Sequence, residues 1–189
     1  MANQNDPKNK NLGKFLSYIL RHKPMAIGLE MDDRGWVSVE ALIQKINSTR
    51  KHGINLDILT AIVKSDNKQR YSFNADKTMI RANQGHSVLV DLGYEKSIPP
   101  EYLYHGTAVI NLDSIKQKGL LRRSRHHVHL SLDKKTAVAV GKRHGKPVVL
   151  TIKSGKMQRD GIAFYCSENN VWLTETVAPQ YIEFPKSIL

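Results

Sequence analysis

A change of periodicity at Pro99-Pro100 constrains this chain more than any other feature. Before the proline pair, apolar residues recur at helical spacing; after it, short alternating runs dominate. A repeat of 3.6 residues and a repeat of 2 belong to different elements. An α+β chain of two domains is therefore expected, residues 1–97 and 98–189, and a length of 189 residues suits two small cores.

In the first half, Leu12, Phe15, Leu16, Ile19 and Leu20 make one apolar stripe of a helix over 12–20. Pro24 limits its extension, so Arg21 and His22 fall in the last turn. The turn Asp33-Arg34-Gly35 leads into an extended piece at Trp36-Val37. Ser38 is placed to cap a second helix with Val39, Leu42, Ile43 and Ile46 inward. Asn55 is placed to cap a third, with Leu56, Leu59, Ile62 and Val63 inward. Residues 70–73, the turn-like 74–77 and residues 78–82 have the composition of a hairpin. Three short helices followed by a hairpin is the order of a winged helix, a nucleic-acid-binding relative of the helix-turn-helix, although other small α+β domains share that order.

Beyond the prolines, strands are expected over 102–105, 127–132, 148–152, 162–166, 171–176 and 181–184. Helices are expected near 109–118 and 134–144, with Gly119 ending the first.

Composition narrows the classes. The single Cys rules out an intramolecular disulfide framework or a multi-Cys zinc site. No apolar run approaches the ~18 residues of a membrane span, and the polar start is no signal peptide, so a soluble, cytosolic protein is expected. The net charge is +12, and Lys116 to Lys146 holds ten Lys/Arg against Asp133 alone. Such a field collects polyanions, nucleic acid above all, though a solvated basic face has the same composition.

Chemistry concentrates in residues 125–132, RHHVHLSL. On a strand, Val128, Leu130 and Leu132 would face the core, while Arg125, His127, His129 and Ser131 would line the other side. That polar face suggests a cleft; a plain solvated face is the alternative. A metal held by His127 and His129 would need a third ligand, and the segment offers no carboxylate besides Asp133. His105-Gly106-Thr107 ends an apolar-aromatic strand, with a glycine suited to a sharp turn or to close approach of a ligand. No glycine-rich phosphate loop of the Rossmann or Walker type is present. Taken singly, Arg21-His22, Arg70 and Gly85-His86-Ser87 have plain readings: a cation at a helix end, a surface arginine and a loop.

Six blocks taken in order resemble the RNA 2′-phosphotransferase family. They are LSYILRHKP at 16–24, RGWV at 34–37, KQRYSF at 68–73, RANQGHS at 81–87, LYHGT at 103–107 and RHHVHLS at 125–131. The resemblance runs from about Leu12 to Phe184. It implies a winged-helix RNA-binding lobe followed by an ADP-ribosyltransferase-like lobe that holds NAD as co-substrate, with no metal. It also implies removal of an internal 2′-phosphate from a tRNA-like RNA, as in tRNA splicing, by transfer to NAD. The 2′-phosphate displaces nicotinamide to give a 2′-phospho-ADP-ribosylated RNA. The ribose O2″ then attacks phosphorus, leaving 2′-OH RNA and ADP-ribose 1″,2″-cyclic phosphate. The family's catalytic tetrad maps onto Arg21, His22, Arg70 and Arg125; its NAD motifs map onto His105, Gly106 and Thr107, and onto His129 and Ser131. On the same resemblance, Glu175 falls in the third motif, over 171–175, and stays outside the catalytic set, because a phosphate dianion is already nucleophilic. A monomer is expected.

Two rival readings share these features. A mono-ADP-ribosyltransferase would use the same NAD residues and leave a stable adduct on protein or nucleic acid. A non-enzymatic winged-helix regulator would bind duplex DNA and give the polar face at 125–131 no role.

Overall fold

The computed structural model describes residues 7–49 and 53–185, and the chain divides into two compact units, Met1–Gly93 and Tyr94–Leu189. Residues 94–97 belong with the second unit. The Tyr94 ring meets His127 edge-on at 6.3 Å, Lys96 bridges to Tyr165, and the Ser97 N–H donates to the Phe164 carbonyl at 2.8 Å. The division therefore falls before the 97/98 boundary expected from the proline pair.

The first unit contains α1 (Pro7–Arg21), β1 (Val37–Ser38), α2 (Val39–Ser48), α3 (Leu56–Ser65), β2 (Tyr71–Phe73) and β3 (Met79–Ala82). Its strands pair antiparallel in the order β1-β3-β2. Leu16, Ile19 and Leu20 of α1 are fully buried with Leu42, Ile46, Leu59 and Ile80. Burial of each such side chain contributes about 1.5–3 kcal/mol. The caps are those expected: the Ser38 side chain accepts from the Ala41 N–H, and that of Asn55 from the Ile58 N–H. Leu56 differs. It is 46% exposed, because the first residue of α3 lies outside the stripe set by Leu59 and Ile62. α1 stops at Arg21, and Pro24 opens a short 3-10 turn over Pro24–Ile27. Across the unit, the Tyr71 hydroxyl donates to the Gly13 carbonyl at 2.9 Å and so ties the hairpin to α1.

The second unit runs β4 (Leu103–Ala108), α4 (Leu112–Lys118), β5 (Leu120–Leu121), β6 (Val128–Leu130), α5 (Lys134–Gly141), β7 (Pro147–Ile152), α6 (Ser154–Arg159), β8 (Tyr165–Cys166), β9 (Trp172–Thr174), β10 (Thr176–Val177) and β11 (Ile182–Glu183). Antiparallel sheets form in the orders β11-β7-β4 and β6-β9-β8, with β10 on β5. Reciprocal bonds between Tyr104 and Ser131, at 2.9 and 2.7 Å, bring β4 beside the end of β6. Leu103, Leu130, Leu150, Ile152, Met157 and Phe164 form its core. Both units mix helices with antiparallel strands, so the chain is α+β.

Local expectations change here: the strand expected over 162–166 is regular only over Tyr165–Cys166, and the one over 171–176 is interrupted at Glu175 between β9 and β10. The strand expected over 127–132 is regular only over 128–130, and Leu132 lies 57% exposed because the chain turns into the Asp133 cap of α5. β5 and α6 are elements that periodicity does not announce. β5 has two residues, and α6 packs through Ser154, Gly155 and Met157 rather than through an apolar stripe.

Candidate functional site

In the first unit, three stretches far apart in sequence meet at the end of α1. The Ser87 N–H donates to the Arg21 carbonyl at 2.9 Å, and the Ser87 hydroxyl shares a 3.0 Å hydrogen bond with His22 Nδ1. The loop after β3 thus closes the C-terminus of α1, whose last carbonyls have no partner within the helix. The same loop holds the start of β2. Asn83, buried, donates from its N–H to the Arg70 carbonyl at 2.8 Å and from Nδ2 to the Gln69 carbonyl at 2.7 Å. Arg21 and His22 are half-buried, and Nε and Nη2 of Arg21 lie out of solvent. Burial pushes the Tyr71 hydroxyl above its usual pKa, and the Arg21 and Arg70 guanidinium groups nearby partly offset that. Arg21 and Arg70 therefore lie about one buried hydroxyl, with His22 beside Arg21 at the end of α1, an arrangement suited to an oxyanion with two or more acceptor oxygens.

Arg70 is anchored by Asp66 at the end of α3, which pairs with its Nη1 and accepts from its main-chain N–H. The sequence blocks leave out Asp66 and contain Tyr71 and Asn83 without assigning them a part in the site. Ser87 and His86 stood in the tripeptide read as a loop. His86 is 1% exposed, a burial that no local pattern signals.

In the second unit, Arg125, His129 and His105 form a chain of hydrogen bonds. Arg125 Nη1 donates to His129 Nδ1 at 2.7 Å, and His105 Nδ1 donates to the His129 carbonyl at 3.0 Å. Arginine has no acceptor, so His129 Nδ1 is unprotonated and its proton sits on Nε2. A carbonyl only accepts, so His105 carries its proton on Nδ1 and presents Nε2 as an acceptor. Burial holds His105 below the ordinary histidine range, with the carbonyl bond opposing. Ser131 is half-buried beside Tyr104.

Three residues sit otherwise than expected. Arg125 is in a turn, its N–H donating to the Arg122 carbonyl at 3.1 Å, and reaches His129 from there rather than from a strand face. His127 is packed by aromatic rings, Tyr94 at 6.3 Å and Tyr165 at 5.5 Å, and burial lowers its pKa. Gly106 lies within β4, not after it, and serves the packing of α5: a Cβ there would meet the Ala137 carbonyl oxygen at 1.7 Å. Thr107 is buried and its hydroxyl accepts from Asn111 Nδ2 at 3.2 Å. Glu175 is exposed, between β9 and β10.

The model of the RNA 2′-phosphotransferase, Tpt1/KptA family matches residues 7–176 of this chain. The chain belongs to the RNA 2′-phosphotransferase family. A probable RNA 2′-phosphotransferase of Flavobacterium johnsoniae is 51% identical over 175 residues, 93% of this chain and 96% of the relative. One from Nostoc punctiforme is 49% identical over 94% of this chain and 98% of its own length. One from Escherichia coli is 45% identical over 97% and 100%. In this member of the RNA 2′-phosphotransferase family, both residue clusters lie inside the matched span. So does the basic run from Lys116 to Lys146, all ten of whose Lys/Arg side chains are exposed. Among the described residues, no helix is long and apolar enough to cross a membrane.

Proposed function

We propose that the chain removes an internal 2′-phosphate from RNA by transferring it to NAD, releasing nicotinamide and ADP-ribose 1″,2″-cyclic phosphate. Membership of the RNA 2′-phosphotransferase family supports the enzyme class. The observation that carries the reading further is the gathering of Arg21, His22 and Arg70 in the first unit, where no metal is needed to meet a dianion. The first unit, with three helices and a β1-β3-β2 sheet, is consistent with a winged-helix RNA-binding lobe. The second is read as an ADP-ribosyltransferase-like lobe.

Arg21 and Arg70 bind the 2′-phosphate oxygens, and His22 donates a hydrogen bond to the same group. NAD, as second substrate, supplies an electrophilic ribose C1″ with nicotinamide as leaving group. In the second unit, His105 and His129 are rings of fixed tautomer, and Ser131 adds a hydroxyl, a set whose chemistry fits ribose hydroxyls. Gly106 contributes by letting α5 approach β4, and Thr107 by its buried place on the same strand.

In the first step, a phosphate oxygen bonds to C1″ and the C1″–N bond breaks. In the second, the ribose O2″ bonds to phosphorus, the bond from phosphorus to the RNA 2′-oxygen breaks, and the proton leaving O2″ is balanced by one delivered to the RNA 2′-oxygen. His22 is placed in the role of that proton donor. Arg125 stabilises charge on the phosphate while its oxygens exchange.

The test is a short RNA with one internal 2′-phosphate, incubated with NAD and followed by mass spectrometry. Loss of phosphate from RNA, with nicotinamide and the cyclic phosphate appearing together, is the expected result. Arg125→Ala should accumulate ADP-ribosylated RNA. A stable adduct with the wild-type protein, or no reaction, would overturn the reading.

A further inference from the structure

We infer that Asp66 is a positioning residue for Arg70: it holds the arginine by both its main chain and its guanidinium, so that the remaining guanidinium N–H groups are aimed at the phosphate before RNA arrives. The inference rests on the role given to Arg70 above.

The geometry is specific. Asp66 follows α3 as its C-cap residue, and the chain then turns through Gln69, whose φ is +43°. One carboxylate oxygen accepts from the Arg70 N–H at 2.7 Å. The other accepts from Arg70 Nη1 and from the Lys68 N–H at 3.3 Å. Asp66 is the more enclosed partner, with 10% of its side chain exposed against 31% for Arg70. The carboxylate thus sits behind the guanidinium and the cation faces outward. On the far side, Asn83 bonds the Gln69 and Arg70 carbonyls, so the backbone from which the side chain springs is fixed as well.

A guanidinium carries five N–H donors in a rigid fork. Asp66 takes Nη1, and among the described residues no other acceptor bonds the Nε–Nη2 edge. That edge matches two oxygens of a phosphate. An arginine left loose in solvent would lose its rotamer freedom on binding; one already held by a carboxylate has lost it on folding.

Asp66→Asn separates this role from the local turn. The amide oxygen still accepts from the Arg70 N–H, while the amide NH₂ faces the guanidinium donor to donor and releases it. With wild-type protein active on 2′-phosphorylated RNA, D66N should raise KM for that RNA about tenfold, the scale of one charge-assisted hydrogen bond. KM for NAD should stay within about twofold, since nothing in the NAD set is touched. Combined with Arg70→Ala, D66N should add nothing further. The ¹⁵N spectrum of arginine Nε–H groups should show Arg70 ordered in the free wild-type protein and averaged in D66N. An unchanged RNA KM, an equal loss in the Arg70→Ala background, or an Arg70 Nε–H already averaged in the wild type would each overturn the inference. A wild-type protein inert towards 2′-phosphorylated RNA and NAD would overturn the functional reading instead, and the spectrum alone would then decide the coupling.

Discussion

The hydroxyl of Ser87 and the imidazole of His22 share a 3.0 Å hydrogen bond across 65 residues of sequence, and the Ser87 N–H caps the carbonyl of the neighbouring Arg21. One loop residue thus ends a helix and orients the ring beside that end. The hydroxyl fixes which edge of the imidazole carries Nδ1, and so sets the orientation of the ring.

Replacing Ser87 by Ala should lower turnover of 2′-phosphorylated RNA about tenfold, a fraction of what a positioned proton donor contributes. Ser87→Thr keeps the hydroxyl and should restore most of it. Steady-state kinetics with a pH profile would check this. If Ser87→Ala matched wild type in kcat and in its acid limb, the bond would be incidental to the reaction.

Gly106→Ala should act on stability. The added methyl would sit 1.7 Å from the Ala137 carbonyl oxygen, a backbone atom that moves only with α5, and 2.9 Å from the Gly141 nitrogen. A loss of about 3 kcal/mol is expected, at the upper end of overpacking. Thermal or urea unfolding would measure it. A variant as stable as wild type would mean that α5 moves off β4 without cost.

Stability should fall on acidification. His105 is held below the ordinary imidazole value, first by burial, and His127 likewise. The unfolded chain takes up protons as pH drops through about 6.5, while the folded chain resists until lower pH. The stability tied to neutral His105 is thus complete above about 6.5 and is lost as pH falls towards its folded value. Urea unfolding of wild type and His105→Gln at about pH 7.5 and about pH 5 should give a smaller difference for the variant. Equal differences would place the pH dependence elsewhere.

RNA affinity should depend steeply on salt if the exposed cations from Lys116 to Lys146 contact phosphates. Arg122→Ala, Lys142→Ala or Arg143→Ala should each weaken binding by ~1 kcal/mol and flatten the plot of log K against log salt by about one phosphate contact. Titrations at several salt concentrations would check it. Slopes unchanged in all three variants would put the RNA on another surface.

Much of the fold was legible because it is local. Ser38 and Asn55 cap α2 and α3 through bonds to residues three positions on, and the stripe Leu12, Leu16, Ile19 and Leu20 needs only helical spacing to declare its buried face. The residue types of the site were legible too, since arginines and histidines bunched in short blocks stand out against a background of apolar periodicity. What those residues bond to was not. Whether Arg70 is loose or held depends on where the end of α3 places Asp66. The orientation of His22 depends on a loop that arrives after β3, and the tautomer of His129 on the turn that carries Arg125. Gly106 makes the same point from the packing side. Its neighbours in sequence suggest a turn or a bound ligand, whereas its actual partner is the backbone of α5, some thirty residues on, which no local pattern can specify. Sequence by itself determined the elements, their caps and the chemical groups available. Tertiary structure alone decided which donor meets which acceptor, because those pairings follow from how distant elements pack.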